Sequence, residues 1–353
     1  MKMFSRTFSL ALFLATIQTG TAAEPNPPTW PESVAVFDPS MDIAVMEEAI
    51  NAAFTTNGGD PRTSCGHGEF SDKRYAFLFK PGTYHDLSVP VGYYTTIHGL
   101  GKAPTDTKFQ GQKGPYCEEA CGDFSTGALG TFWRSAENFH TSSSYSYAVG
   151  SGMTWAVSQA APLRNVKVDN DLMLFQYLSE YCCAAGFASG GWASGVEVGG
   201  STTFGSQQQF MVRNSRSAQI DTPVWNGVFV GVDGAPDARC GEWSKESNNS
   251  TLSVAESLPL GAEKPYITSS DGETFQLRVP AARENVGSGP AWDVDGFPDT
   301  RTVDFSEVYV TSPGDSAAAI NAKLNAGLHV VITPAIYTLE ESLRISHEGQ
   351  VVL

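Results

Sequence analysis

The chain has 353 residues, and 22 Lys and Arg against 38 Asp and Glu give a formal net charge of −16. Nucleic acids and anionic membrane surfaces are disfavoured as partners, because both require clustered basic residues and this chain has no basic run. Only 17% of the residues are charged and 35 are Gly, which argues against a coiled coil and for one large or two ordinary globular domains.

Residues 1–23 have the pattern of a secretory signal peptide. Lys2 and Arg6 supply the positive start, an apolar run extends from Thr7 to Ile17, and Thr21 begins a small-residue cleavage site. The run is shorter than the roughly 20 residues that span a bilayer. We therefore expect a secreted, extracellular protein that leaves the membrane after cleavage near Glu24.

Export makes the cysteines candidates for disulfide bonds, with the pairing left open. They are Cys65, Cys117, Cys121, Cys182, Cys183 and Cys240. No His pair follows Cys117 and Cys121 at zinc-finger spacing, so the sequence predicts neither a metal nor another cofactor. Asn248 and Asn249 begin two overlapping glycosylation motifs, which predict an exposed loop in a glycoprotein.

A unit of helix, strand and turn occurs twice. Residues 49–54 predict a short amphipathic helix, and residues 78–84 a buried strand followed by a P-x-x-Y turn. The same order returns at 319–324 and 331–337. We expect a helix near 42–55, a second helix at 313–327, and two strands of a second unit in 328–353.

Short β-rich runs broken by Gly, Ser, Asn and Asp lie between the two units. The predicted strands are Ala128–Arg134, Gly152–Val157, Arg164–Val168, Gly195–Val198, Gln208–Arg213 and Val228–Val232. Their spacing suits a parallel β-helix, and a β-sandwich also fits. The helix before the first strand favours the β-helix, because a solenoid needs a cap over its first turn.

Three stretches resemble the first half of family 55 glycoside hydrolases, the exo-β-1,3-glucanases. They are Phe79–Tyr84, the run from Gly152 through Gln159 to Val166, and the run from Gly205 through Phe210 to Ser215. The resemblance implies an all-β fold of two tandem right-handed parallel β-helices, of the pectate-lyase-like type. On this basis we expect a first β-helix domain at 24–302, with a capping helix and long loops, and the truncated start of a second at 303–353.

The resemblance implies inverting hydrolysis of a β-1,3-glucan-type polysaccharide in a cleft between two β-helices. The family's general acid is a Glu of the second β-helix, whereas amide and hydroxyl side chains of the first hold the attacking water. The residues that match are Gln159, Gln208 and Gln209. The family Gln after the Trp is Ala156 here, and three glutamines follow Ser206, which leaves the register open by one residue.

The chain stops soon after the second P-x-x-Y turn. We therefore expect a fragment, inactive as it stands, with the general acid in the missing second half, and we expect a monomer. Inverting hydrolysis needs two carboxyl groups about 6.5–9.5 Å apart. The nearest carboxylates show no spacing that singles out a pair: Asp169, Asp171, Glu180, Glu197 and Asp233.

Sugar rings pack on aromatic faces, which makes Trp155, Trp192 and Trp225 candidate substrate-binding residues beside Arg213. Packing inside the fold is the competing interpretation for each Trp, and an internal amide ladder is the competing one for Gln159. Two other functions stay open: a β-helix lyase or a hydrolase of another linkage, and a non-catalytic glycan- or cell-wall-binding protein. A lyase would need clustered Asp for Ca²⁺, which the sequence does not show.

Overall fold

The structure is a computed structural model, and it describes residues 23–60, 65–66, 68–111, 113–118, 127–144, 152–178, 184–241 and 250–353. Most of the predicted signal peptide, the glycosylation sites at Asn248 and Asn249, and the carboxylate Glu180 lie outside the described residues. So do Cys121, Cys182, Cys183 and the side chain of Cys65, and the disulfide bonds remain a prediction.

The described chain is mostly β, with two α-helices, α1 at Ile43–Thr56 and α2 at Ala317–Asn325. The strands are β1 Val34–Phe37, β2 Gly59–Asp60, β3 Cys65–Gly66, β4 Tyr75–Phe79, β5 Gly82–His85, β6 Ser88–Pro90, β7 Thr95–Gly99, β8 Thr107–Gln110, β9 Gly114–Tyr116, β10 Ser135–Thr141, β11 Gly152–Thr154, β12 Leu163–Val168, β13 Asp171–Met173, β14 Trp192–Ser194, β15 Glu197–Thr203, β16 Gln209–Ile220, β17 Asn226–Asp233, β18 Thr251–Ala255, β19 Leu258–Gly261, β20 Tyr266–Thr268, β21 Gln276–Pro280, β22 Arg283–Val286, β23 Thr300–Asp304, β24 Val308–Val310 and β25 His329–Val331. Short 3₁₀ helices occupy Pro104–Asp106 and Phe305–Glu307.

Nine strands pair in parallel and in chain order to form what we call the main ladder. Its members are β1, β4, β7, β10, β12, β14, β16, β17 and β18. Between visits to this ladder the chain forms further parallel pairs, β5 with β8 and β11 with β13. Each return of the chain to the main ladder is called a layer here.

Register places one apolar side chain per layer at the same inward position. Phe77 lies beside Ile97, Ile97 beside Ala136, and Ala136 beside Leu163. All four are buried and belong to one core cluster, which extends to Phe229. Because successive residues of a strand face opposite sides, the residues between them form an outward face, which carries the polar groups discussed below.

Helix α1 lies where the repeated motif predicts the first helix. Asp42 caps its N-terminus by accepting a hydrogen bond from the Ala44 amide, at 2.8 Å. Met46 and Ile50 are fully buried in the same core cluster as the ladder side chains. The helix therefore packs against the interior that the first layers enclose.

The second copy of the repeated unit folds like the first. Strand β24, helix α2 and strand β25 follow in order, and β24 pairs with β25 in parallel as β1 pairs with β4. In both copies the turn tyrosine donates back to the carbonyl oxygen four residues before it. Tyr84 bonds Lys80 O at 3.0 Å and Tyr337 bonds Thr333 O at 3.2 Å.

Two predicted strands differ from the structure. Residues 128–134 form a loop, and the strand begins at Ser135 instead. In the second copy, only Val352 of the residues after β25 forms a β-bridge, with Val330. Among the described residues no helix is long and apolar enough to cross a membrane.

Candidate functional site

One corner of the fold, just before each main-ladder strand, collects most of the predicted site residues. We call this set the corner row: Tyr94, Trp133, Gln159, Ala160, Ser189, Gly190, Gln208, Gln209 and Trp225. Backbone hydrogen bonds join successive layers along it, from the Tyr94 amide to Trp133 O and from the Gln159 amide to Ser189 O. The Trp225 amide continues the row by donating to Gln208 O at 3.0 Å.

The corner turns through the left-handed region of backbone space. Tyr94 has φ 52°, Trp133 φ 50°, Ala160 φ 51° and Gly190 φ 89°. A large side chain with such a φ is strained, by about 1–3 kcal/mol. The corner therefore holds aromatic and polar side chains where Gly or Asn would fold with less strain.

The three predicted glutamines share this corner. Gln159 and Gln209 are exposed and Gln208 is half-buried. The layer containing Ser189 and Gly190 lies between Gln159 and Gln208, so adjacent layers bring them within about two strand spacings of 4.8 Å.

Ser189 is a further residue of this corner that no sequence motif indicated, and it contacts the Gln208 side chain and the Gln159 backbone. Its hydroxyl donates to Gln208 Oε1 at 3.0 Å, and its carbonyl accepts from the Gln159 amide at 3.1 Å. The bond to Oε1 leaves the NH₂ group of Gln208 as a donor for a ligand. The only signal for this residue is a hydroxyl one layer from Gln159, and this signal does not identify it because the sequence has many serines.

Gln207, the first of the three consecutive glutamines, points into the fold. It is fully buried, and its Nε2 donates to Val157 O at 2.7 Å and to Leu174 O at 2.6 Å. Its Oε1 accepts from the Gly190 amide at 3.0 Å. Gln207 is thus a structural amide joining layers, while Gln208 and Gln209 face outward.

Trp155 corrects one sequence prediction. Its side chain is 0% exposed within the core cluster, and its indole nitrogen donates to Ala161 O at 3.1 Å. No sugar can reach it, because the alternation of the strand that ends there points it inward. Trp155 packs the interior, and the competing interpretation given above holds for this residue.

Trp192 and Arg213 lie on the outward face of the main ladder, away from the corner row. The Arg164 guanidinium lies 4.0 Å above the Trp192 ring. Arg213 makes a bidentate pair with Glu263 at 3.0 and 2.8 Å, and both side chains are largely buried. The Arg213 guanidinium is thus engaged by Glu263, and Arg164 covers one face of the half-buried Trp192 ring, while substrate binding by either residue stays a prediction. Trp225, by contrast, is 41% exposed and lies at the far end of the corner row.

A buried charge cluster lies on the same outward face. Glu137 accepts from Lys264 Nζ through both oxygens at 2.8 Å, with Arg164 at 3.7 Å and His98 beside it in register. Burial by itself raises the pKa of Glu137, but Lys264, His98 and Arg164 outweigh it and hold the pKa below its ordinary value. Burial keeps the pKa of His98 low, and its ring bonds Ile267 O at 2.9 Å.

The carboxylates nearest the sequence motifs also have partners, where the structure describes them. Asp169 contacts His140 at 2.7 Å, Glu197 contacts Lys167 at 2.8 Å, and Asp233 contacts Arg216 at 2.9 Å. Asp171 accepts from the Ser201 amide at 2.8 Å. These groups tie neighbouring layers together at positions away from the corner row. In the part of the chain that the structure describes, no cluster of three His, Cys, Asp or Glu is gathered to hold a metal.

A cleft of about 420 Å³ opens between the first layers and the second repeated unit. One wall carries the start of the corner row, including Tyr94, Trp133 and Ala160. The opposite wall is the segment from Ile332 to Ala335. None of the described residues that line the cleft is a carboxylate. A smaller cavity of about 220 Å³ adjoins it and contains Glu137 and Lys264.

Comparison with known proteins gives matches to a family model, to a curated relative and to solved structures. Residues 308–353 match the LAM55 pectate lyase-like domain. The chain is 35% identical, over 322 residues, to the exo-beta-1,3-glucanase of Streptomyces sp. (strain SirexAA-E / ActE); the match covers 91% of this chain and 47% of that protein. The chain thus spans about half the length of the curated relative.

Solved structures agree with the sequence match. The structure of sacteLam55A from Streptomyces sp. SirexAA-E matches with a TM-score of 0.73 and 33% identity, over 90% of this chain and 51% of that one. A variant of sacteLam55A in complex with glucose matches with a TM-score of 0.74 and the same identity and coverage. These matches confirm the resemblance that the sequence motifs indicate.

Proposed function

We propose, from the confirmed resemblance to the family 55 glycoside hydrolases, that this chain forms the water-holding wall of a site that hydrolyses β-1,3-glucan. The carrying observation is the corner row, where Gln159, Ser189 and Gln208 lie in successive layers and Gln159 directly precedes Ala160, which lines the cleft between the two repeated units. The 35% identity to an exo-beta-1,3-glucanase supports the substrate class.

The proposed fold is a right-handed parallel β-helix with α1 as its cap. Nine parallel strands in chain order support it, and parallel crossovers within one sheet are right-handed in nearly all proteins. Burial of Met46 and Ile50 against the first layers supports the capping role of α1. The second unit, from β24 onward, is proposed as the start of a second β-helix.

Amide and hydroxyl groups suit the task of holding a water molecule. Each can donate and accept hydrogen bonds, so a water can be oriented with a lone pair toward the anomeric carbon. They cannot remove its proton or protonate the leaving oxygen, for which an inverting enzyme uses two carboxyl groups about 6.5–9.5 Å apart. We assign the general acid to the second β-helix, as the resemblance implies.

The test is a chimera in which this chain is continued by the remaining part of the Streptomyces exo-beta-1,3-glucanase. We expect it to release glucose from laminarin with inverted anomeric configuration, followed by NMR. Gln159→Ala and Gln208→Ala should lower kcat at least about 10-fold with an unchanged melting temperature, because both side chains are accessible. Leu260→Ala, at a residue 63% exposed far from the corner row, is the matched control.

Full activity in both glutamine variants would contradict the proposed role. An observation also favours a second function: no carboxylate lines the described part of the cleft. A non-catalytic glycan-binding protein would fit that lining. Binding of laminarin by the chimera without release of glucose would support this second function over hydrolysis.

A further inference from the structure

The aromatic end of the cleft contains a stack of three side chains that the proposed hydrolysis does not use. The Arg74 guanidinium carbon lies 3.4 Å from the centroid of the Tyr94 ring. The Tyr94 and Trp133 rings then stack with centroids 5.5 Å apart and an interplanar angle of 14°. All three residues line the 420 Å³ cleft.

Neighbouring groups fix this stack in place. Arg74 donates to the carbonyl oxygens of Ser71 and Lys73, both at 2.8 Å. The Tyr94 hydroxyl donates to Glu69 O at 2.6 Å. Because Arg74 and Tyr94 are both anchored, the Trp133 ring that stacks on Tyr94 is held in one orientation before any ligand arrives. This reduces the entropy lost on binding.

Trp133 remains 45% exposed although Tyr94 covers one of its faces. Phe132 and Tyr93 also approach the ring, with centroids 5.9 and 6.2 Å away, but at interplanar angles of 49° and 61°, so neither is stacked parallel on the opposite face. Trp133 also has φ 50°, a backbone conformation that is strained for a bulky residue. The corner imposes a positive φ in several layers, but an exposed aromatic side chain at this position, where Gly or Asn would be less strained, fits a ligand-binding role.

A pair of hydroxyl groups lies near the Trp133 ring. Ser135 Oγ donates to Thr96 Oγ1 at 2.9 Å, and both residues line the cleft. Each hydroxyl group can form further hydrogen bonds after this one. An apolar face beside hydroxyl groups matches a pyranose ring, whose C–H face is apolar and whose edge carries hydroxyl groups.

The charges favour a neutral sugar. The cleft has two guanidinium groups, but Arg74 donates to backbone carbonyls and Arg134 donates to Phe132 O and Val91 O at 2.9 and 2.7 Å. Nη1 of Arg74, and Nε and Nη1 of the buried Arg134, are therefore bonded to backbone carbonyls rather than directed at a ligand. The net charge of −16 also repels an anionic polymer.

We propose that Trp133, with Thr96 and Ser135, forms a subsite for one neutral β-linked pyranose unit, one layer from Gln159. The inference rests on the proposed function for the identity of the polymer, a β-1,3-glucan. The backbone amide of Arg134 donates to Ala160 O at 3.3 Å, so the layer of Trp133 and the layer of Gln159 are adjacent. A chain stacked on Trp133 would thus continue toward the amides.

The test is isothermal titration of the 353-residue chain with laminarihexaose, cellohexaose and hexagalacturonate. Trp133→Asn is the decisive variant, because Asn tolerates positive φ. We expect laminarihexaose to bind, Trp133→Asn to weaken binding at least about 10-fold with little change in melting temperature, and Trp133→Tyr to restore most of it. Leu260→Ala should bind like the unmodified chain.

Equal affinity in Trp133→Asn and the unmodified chain would overturn the subsite and leave the glucan function standing. Preference for cellohexaose that depends on Trp133 would support the subsite and contradict the β-1,3-glucan assignment. Trp133-dependent binding of hexagalacturonate alone would contradict the neutral-sugar inference. Absence of binding to every hexasaccharide would overturn the subsite.

Discussion

Three consecutive glutamines at the corner row have three different environments. Gln207 is buried with three hydrogen bonds to backbone groups, Gln208 is half-buried and accepts from Ser189, and Gln209 is exposed. A buried amide that joins layers and outward-facing amides are therefore both present in this run. They differ by one position in the chain.

We predict that Gln207→Ala lowers the free energy of unfolding by about 2–4 kcal/mol, because it removes bonds to two buried carbonyls and leaves a small cavity. Gln209→Ala at the exposed neighbour should change it by less than about 0.5 kcal/mol. Urea unfolding of both variants measures the difference. Similar losses would mean that the assignment of the buried amide is wrong.

The sequence could identify Gln159 and the glutamine run, because both lie in motifs that resemble the family 55 enzymes. It could not assign the tryptophans, since nothing in the sequence tells the inward from the outward side of a short strand. Trp155 faces the core, whereas Trp133, at a corner that the sequence predicted as a strand, faces the cleft. The loop arose there because the left-handed corner interrupts the apolar run.

At the scale of elements, the antiparallel strands between the two repeated units cover the outward face of the main ladder. β19 pairs with β22, and β21 pairs with β20 and β23. In the connection between β19 and β20, Lys264 forms an ion pair with Glu137 of the main ladder, and Glu263 forms one with Arg213. The sequence showed no motif for these antiparallel strands, because ion pairs between distant residues hold them in place. Lys264 and Glu137, for example, lie more than a hundred positions apart.

We predict that Lys264→Met destabilises the protein in a pH-dependent way. The folded-state pKa of Glu137 is lowered, so its ionised form contributes stability above the unfolded value of about 4.3, and this is lost as pH falls through the lower folded pKa. Without Lys264, burial dominates and the pKa of Glu137 rises. The loss should be about 2 kcal/mol at pH 7, less than for a fully buried pair because Lys264 is partly exposed.

Urea unfolding at pH 7 and pH 3 measures this effect. The difference between Lys264→Met and the unmodified chain should narrow at pH 3, where a protonated Glu137 no longer requires a cation. Lys167→Met, which breaks the more exposed pair with Glu197, should cost less than about 1 kcal/mol at pH 7. A loss in Lys264→Met that is the same at both pH values would contradict the electrostatic explanation.

At the scale of the whole molecule, two copies of one unit place a cleft between them. The first copy continues into the main ladder, and the second supplies the opposite wall at Ile332–Ala335. The repeat of helix, strand and tyrosine turn was visible in the sequence because it lies in consecutive residues. The cleft was expected only from the family resemblance, since its walls lie far apart in the chain and local patterns carry no information on their distance.

Amide hydrogen exchange of the 353-residue chain with and without laminarihexaose tests most directly whether the corner row is the glucan-binding surface. We expect slower exchange with the ligand at residues 131–134, 158–161, 188–191 and 207–210, and unchanged exchange in the antiparallel strands β19 and β22. Protection confined to the antiparallel layer or the charged outward face of the main ladder, or the same exchange with and without ligand, would contradict it.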